Sequence, residues 1–222
     1  MFDCHLYAAA IVACTNAVDF VQAKQLHEQI IAERIEISTS LYCALIFMYG
    51  KCSEISKAVS LFETAIKIHK HRQDVHVWTA LVSAYGQNGE GNSAITTFDK
   101  LQKYSLKPDG VFFVALLDAC NHAGMPDKAI EIMSDMESQY GIKPSAKHIS
   151  CVIDGLGRKG RLLEAKKLAD DVDISEQWIP LMSLLSCSRL HGDITMAEYA
   201  FFALKIMNPK SAAICILLLN CT

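Results

Sequence analysis

The 222 residues carry 21 Lys and Arg against 24 Asp and Glu, a net charge of −3, and 51% of the side chains are hydrophobic. That apolar share is ample for a continuous core. The acidic balance, with a pI of about 6.2, weighs against a protein that lives by phosphate contacts, because such domains are usually basic; no stretch approaches the roughly 18 consecutive apolar residues that a bilayer crossing needs.

Taken in order, the chain reads as pairs of helices. Over 4–16, Tyr7, Ala8, Ile11 and Val12 recur at helical spacing, and 20–32 follows with Ala23, Leu26 and Ile30. Residues 41–49 and 55–68 repeat the pattern. Trp78, Leu81, Val82 and Tyr85 then stand at i, i+3, i+4 and i+7, before the breaker Gln87-Asn88-Gly89-Glu90-Gly91 and a second periodic run with Ala94, Ile95, Phe98 and Leu101. Lys107-Pro108 predicts the end of that second helix, since a proline disfavours helix at the residue before it. The next pair is 112–120 and 126–136, where Pro126 suits a first turn. Residues 149–156 with 162–172, and 181–190 with 194–207, complete the series, and Asp193 is placed to cap the last helix.

The pairs share a register. Ala23, Ala58, Ala94, Ala129, Ala165 and Ala197 follow one another at steps of 35, 36, 35, 36 and 32, and Ile11, Ile46, Val82, Leu117, Ile153 and Leu185 keep the same steps. The turn position holds Gly89, Gly124, Gly160 and Gly192, with Val18 and Ser53 in the first two copies. Such a period marks a stack of helical hairpins, none of which can bury its apolar face alone. The repeats are drawn as 4–38, 39–74, 75–109, 110–145, 146–177 and 178–210, a seventh opening at Ser211, all in one array over 1–222. Alanine lets paired helices approach, glycine permits positive φ at a helix end, and Phe62 and Phe98 fill the layer between helices.

Nine cysteines occur with no C-x-x-C and no regular framework, which points to buried thiols in a reducing compartment. His69 and His71 form an H-x-H in a connection without a third ligand nearby, so no metal or cofactor is expected. There is no G-x-S-x-G, no phosphate-binding glycine loop, and neither the His-x-Glu nor the Cys-x-x-Cys of a zinc deaminase; the chain is expected to be non-catalytic. No Arg- and Ser-rich presequence or secretory signal is seen. Met1 stands almost directly at a helix start, which fits a mature or partial form.

Several stretches resemble the pentatricopeptide repeat family, in particular its plant-type arrays of alternating long and short repeats. Ala44-Leu45-Ile46-Phe47-Met48-Tyr49-Gly50-Lys51-Cys52 is similar to its short first helix, and 78–89 to its standard one. Leu116-Leu117-Asp118-Ala119-Cys120-Asn121-His122-Ala123-Gly124 is similar to its long one. Stretches 155–162, 184–193 and 211–213 resemble the late short repeat and the C-terminal extension repeats. The resemblance implies an all-α, right-handed α-solenoid that binds single-stranded RNA in an organelle, mitochondrion before chloroplast, one base per repeat. It also implies reading pairs at the fifth and last residues: Ala8 with Ser38, Cys43 with Asp74, Thr79 with Asp109, Val114 with Ser145, and Ser150 with Gln177. Thr79 with Asp109 resembles the guanine pair, whereas Ala8 and Val114 have no polar side-chain atoms. A further column, Lys51, Gln87, His122 and Arg158, ends each first helix and is a candidate phosphate contact.

Two functions follow. One is RNA binding in processing or editing, as a non-catalytic adaptor. The other is a protein-facing scaffold, such as an accessory subunit of an organellar ribosome in contact with ribosomal RNA and proteins. A basic inner groove favours the first; an apolar or mixed one favours the second.

Overall fold

The computed structural model describes residues 4–68 and 72–208, and among them every regular element is helical. The elements are α1 (Cys4–Asn16), α2 (Phe20–Ala32), α3 (Thr39–Lys51), α4 (Ile55–Lys67), α5 (Val75–Gln87), α6 (Gly91–Lys103), α7 (Gly110–His122), α8 (Pro126–Ser138), α9 (Ala146–Arg158), α10 (Leu162–Asp170), α11 (Trp178–His191) and α12 (Ile194–Met207), with a 3₁₀ turn at Ile174–Glu176. The histidines at 69 and 71 and the repeat expected from Ser211 lie outside the described residues.

The chain forms two compact units, Met1–Ala123 and Gly124–Thr222. In the first, α1, α3, α5 and α7 pack successively on one another, and α2, α4 and α6 pair with the first helix of their own hairpin. In the second, α9 packs on α11 while α8, α10 and α12 lie against them. The two sequence columns account for this packing. All six alanines and all six first-helix residues of the register are completely buried.

The turn column has a single backbone conformation. Val18, Ser53, Gly89, Gly124, Gly160 and Gly192 have φ between 58° and 73°. Five of these turns close alike: the residue after the left-handed one donates its N–H to a carbonyl five residues back, as Glu54 does to Tyr49 (2.9 Å) and Glu90 to Tyr85 (2.9 Å). This closure satisfies carbonyls that a helix end otherwise leaves unpaired.

Valine at such a position is strained, because its Cβ crowds the carbonyl in the left-handed region. Val18→Gly is therefore expected to stabilise the fold by about 1 kcal/mol, strain relief outweighing the extra chain entropy of glycine. The urea midpoint measures it, and an unchanged or lower midpoint means that the valine is not strained.

Two second helices stop two or more residues short of the sequence expectation. α6 stops at Lys103, four residues before Lys107-Pro108, and the stop is the left-handed Ser105 (φ 56°), after which Leu106 N–H donates to Leu101 O at 3.3 Å. Arg34 (φ 54°) and Gly141 (φ 66°) follow α2 and α8 in the same way. α10 ends at Asp170 rather than 172, giving way to the 3₁₀ turn that leads into α11.

Consecutive first helices nearly touch at glycines. A Cβ on Gly50 of α3 would lie 2.6 Å from Ala84 Cβ of α5, and one on Gly86 would lie 3.0 Å from Ala119 Cα of α7. A Cβ on Gly157 of α9 would meet Cys187 of α11 at 2.1 Å.

His27 of α2 sits edge-on to Tyr49 of α3, with Nδ1 2.8 Å from the phenol oxygen. Burial holds its imidazole below the ordinary histidine range, and the nearby Lys57 adds to this. Between the depressed native value and the ordinary 6.5, the unfolded chain binds the proton and the native chain does not. Stability from this site is thus complete above about pH 6.5 and lost as pH falls below it. The thermal midpoint is expected to decline on that side, and less steeply in His27→Gln; identical profiles contradict the assignment.

Candidate nucleic-acid interface

Each first helix after α1 is preceded by the last residue of the repeat before it. Ser38, Asp74, Asp109, Ser145 and Gln177 stand at the N-caps of α3, α5, α7, α9 and α11. Ser38 Oγ accepts from Leu41 N–H (3.3 Å), Asp74 Oδ1 from His76 N–H (3.0 Å) and Asp109 Oδ1 from Phe112 N–H (2.8 Å). Ser145 Oγ lies 2.7 Å from His148 Nδ1, to which its own backbone N–H donates. Gln177 departs from the others: its amide nitrogen donates to Val172 O at 2.8 Å. Ser and Asp are strong caps because their oxygens meet otherwise unpaired amides. The carboxylates keep a second oxygen for other partners. Asp193 caps α12 through Met196 N–H at 2.9 Å, as its position in the sequence implies.

The first unit carries an open groove of about 1160 Å³ across α1, α3 and α5. It gathers Ala8, Ser38, Cys43, Asp74 and Thr79, five of the residues singled out in sequence. Its remaining surface is mainly small and apolar, including Ala9, Val12, Ala44, Phe47 and Ala80, and among the described residues no Lys or Arg lines it. Thr79 is half-buried and its hydroxyl donates to Val75 O at 3.0 Å, so its oxygen faces other partners as an acceptor. Cys43 is a neutral thiol: burial, reinforced by the Asp74 carboxylate, pushes it up to about 12. Asp109 is exposed at the head of α7 and is not part of this groove wall; Val114 is partly exposed on α7.

In the second unit, Ser150 is 7% exposed and its hydroxyl has no hydrogen-bond partner among the described residues. The column expected at phosphates consists of the last residue of each first helix, where a cation also meets the partial negative charge of the helix end. Lys51 lies over the Phe47 ring at 5.7 Å, and His122 is 3.5 Å from Asp118. Gln87 is exposed at the end of α5. Arg158 borders a 390 Å³ cleft with Asp154, Ser186 and Arg189.

Sequence reasoning missed His5 and His76, which line the groove of the first unit. A signal existed: His5, Ser40 and His76 are the second residues of three successive first helices, α1, α3 and α5, at steps of 35 and 36. Asp74 Oδ1 also binds His76 Nδ1 at 2.8 Å, so the cap residue orients the imidazole.

Comparison with known proteins places these features. A family model described as "Pentatricopeptide repeat domain" matches residues 97–157, and one described as "PPR repeat" matches 40–67, 76–106 and 149–171, together more than half of the chain. The Arabidopsis thaliana pentatricopeptide repeat-containing protein At5g27110 is 36% identical over 219 residues, covering 98% of this chain and 31% of the relative. The Arabidopsis thaliana protein CRR2, chloroplastic, is 32% identical over 210 residues, covering 95% of this chain and 31% of the relative. The chain thus spans about a third of the length of these relatives. Among solved structures, the maize pentatricopeptide repeat protein PPR10 superposes with a TM-score of 0.63 at 17% identity, covering 99% of this chain and 36% of that one. PPR10 in complex with an 18-nt psaJ RNA element gives 0.62 at 14% identity, with 96% and 36% covered. The fold is the all-helical pentatricopeptide α-solenoid class, and the chain belongs to the pentatricopeptide repeat family.

Proposed function

We propose that the chain binds single-stranded RNA without catalysis, acting as an adaptor in organellar RNA processing or editing. The observation that carries this reading is the groove of the first unit, where the fifth residues Ala8, Cys43 and Thr79 of three successive first helices line one surface. Base-sized space bordered by hydroxyl, thiol and carboxylate groups suits the edges of unpaired bases, which is how RNA sequence is read. The solved PPR10 complex with an RNA element supports the class of ligand. Thr79 and Asp109 are the proposed guanine contacts, Cys43 with Asp74 and Ser150 with Gln177 weaker ones, and Val114 with Ser145 a pair without a reading side chain at its fifth position. Lys51 and Arg158 are proposed phosphate contacts. For location, CRR2 is named as chloroplastic, so an organelle is proposed; imaging of the tagged protein separates chloroplast from the mitochondrion expected from sequence.

Asp109 tests the reading, because its two roles separate. Asp109→Ala is expected to lose about 1 kcal/mol of stability with the cap and to weaken guanine preference at one position by about 1–3 kcal/mol. Asp109→Asn keeps a capping oxygen, so it should hold the stability and still lose the preference. Fluorescence anisotropy against oligonucleotides differing in one base measures this, and selectivity unchanged in both variants contradicts the assignment.

The groove's apolar lining, without Lys or Arg among the described residues, favours a second reading: a scaffold covered by another protein of a ribonucleoprotein assembly, such as an organellar ribosome. That reading requires cosedimentation with a large particle at salt that strips loose RNA binders; a free monomer contradicts it.

A further inference from the structure

The first helices hold one further column. Thr15, Gly50, Gly86, Asn121, Gly157 and Arg189 follow one another at steps of 35, 36, 35, 36 and 32. The first five are buried. At the three glycines the reason is visible, because an added Cβ would meet a neighbouring first helix: Gly50 against Ala84, Gly86 against Ala119 and Gly157 against Cys187. Arg189 breaks the series. It is a long cation, exposed on α11, at the place where the other first helices take in their neighbour. A cation complements the end of a helix, but that explains a charge in the last turn and not an arginine in a column that is otherwise buried. A further helix in this register cannot approach α11 as α5 approaches α3 without displacing the guanidinium.

Arg189 shares a cleft of about 390 Å³ with Arg158 of α9, and Asp154, Ser186, Cys187 and Leu190 also line it. His191 Nε2–H donates to Gly157 O at 2.5 Å, which joins the two helix ends that carry the arginines. Neither guanidinium has an ion-pair partner among the described residues. Burial, reinforced by Asp154, pushes the Cys187 thiol up to about 12, so it adds no charge near neutral pH. Two arginines against one aspartate leave one positive charge in the cleft. Residues 209–222 hold no Asp or Glu, so no side chain there supplies the missing acid.

We propose that Arg189 and Arg158 form a site for a carboxylate of an acidic, partly apolar protein segment, with Leu190 taking the apolar side chain beside it. The guanidinium fork matches a planar carboxylate through two parallel hydrogen bonds. One carboxylate suits the single charge in excess. A nucleic-acid strand brings a charge at every nucleotide, and Asp154 in the wall repels the rest. Leu190 is 65% exposed, and an apolar contact beside arginine is the composition of a protein interface. The inference rests on the adaptor part of the reading above, to which it gives the chemistry of the partner. It shares only Arg158 with the RNA contacts proposed there.

The test uses the full chain and two pools of short fluorescein-labelled peptides. One pool is built in random order from Asp, Glu, Leu and Ser; the other has Asn and Gln in place of the acids. In anisotropy titrations the acid pool is expected to bind about tenfold tighter than the amide pool, the order for one charged hydrogen-bonded pair. That affinity should fall as salt rises, since the arginines are exposed. Arg189→Gln and Arg158→Gln should each lose about tenfold on the acid pool. Arg189→Lys should recover only part, because lysine keeps the charge without the fork. Lys100→Gln, which removes an exposed cation on α6, should change nothing. Unchanged circular dichroism shows that each variant is folded.

Random-sequence single-stranded RNA is titrated in parallel. Arg158→Gln is expected to weaken both ligands, and Arg189→Gln the peptides alone. Equal binding of the two pools overturns the proposal, as does full acid-pool binding by Arg189→Gln. An Arg189→Gln chain that loses RNA and keeps the peptides also overturns it, since the cleft then takes phosphate. In each of these cases a base preference dependent on Asp109 leaves the RNA reading intact. Acid peptides bound through Arg189 by a chain that binds no RNA sink that reading and leave the cleft as assigned.

Discussion

Replacing Trp78 with alanine is expected to remove about 4 kcal/mol of stability, the range for emptying a large aromatic site in a packed core. The indole is completely buried and joins three helices of the first unit. Its ring meets Phe62 of α4 edge-on at 4.9 Å between centroids and Tyr104, just after α6, at 5.4 Å. Its N–H donates to Arg72 O at 3.0 Å, which ties down the segment entering α5. Arg72 in turn lies over Tyr104, with its guanidinium carbon 5.5 Å from the ring centre. Alanine leaves a cavity, removes the aromatic contacts and strands a carbonyl. Trp78→Phe should be milder, since it refills most of the volume and loses mainly the hydrogen bond, worth about 1 kcal/mol. Urea unfolding followed by circular dichroism decides the matter; a loss below about 1 kcal/mol for the alanine variant, outside the range for emptied core sites, means that the three helices do not converge on this residue.

The second large effect concerns the approach of neighbouring first helices. Gly50→Val is expected to destabilise by about 3 kcal/mol, at the upper end for overpacking. Even one added carbon lies 2.6 Å from Ala84 Cβ and 2.8 Å from Ala84 Cα. The latter is backbone, so relief requires α3 and α5 to move apart. Gly50→Ala should be milder, because alanine's helix propensity returns up to about 1 kcal/mol. Ala84→Gly makes room on the opposite side. The pair Gly50→Ala with Ala84→Gly should therefore be less destabilised than the sum of its single changes, by about 1 kcal/mol in a double-mutant cycle. Strict additivity means that the two helices are not in contact at this point.

Periodicity made the helices legible, because burial acts on every turn of every copy. The left-handed turn was legible for a related reason: four glycines marked the column, and the register extended it to Val18 and Ser53, residues that no composition rule selects for that backbone. The ends of the second helices were harder. Arg34, Ser105 and Gly141 occupy the equivalent conformation, and so mixed a set of side chains gives no column to read, while Pro108 offered a plausible but incorrect stop. The candidate site was partly legible. Its fifth residues Ala8, Cys43 and Thr79 do share one surface. What the sequence could not show is that the closing residues already have partners. Serine and aspartate are favoured both for capping a helix and for touching a base, and only coordinates reveal that Asp109 and Asp74 already use one oxygen on backbone amides. His76 escaped notice because its orientation is set by Asp74 two residues before it, a contact made by the cap geometry rather than by helical spacing.

The caps bear on how such a protein grows. The residue that closes one repeat starts the next helix, so a cut after Asp109 strips α7 of the oxygen that holds its first turn. The exchangeable block accordingly runs from cap to cap, 38–73 or 74–108, each carrying its own beginning. A gene that duplicates or deletes such blocks creates no orphaned amide at the seam, because each block brings the cap of its own first helix.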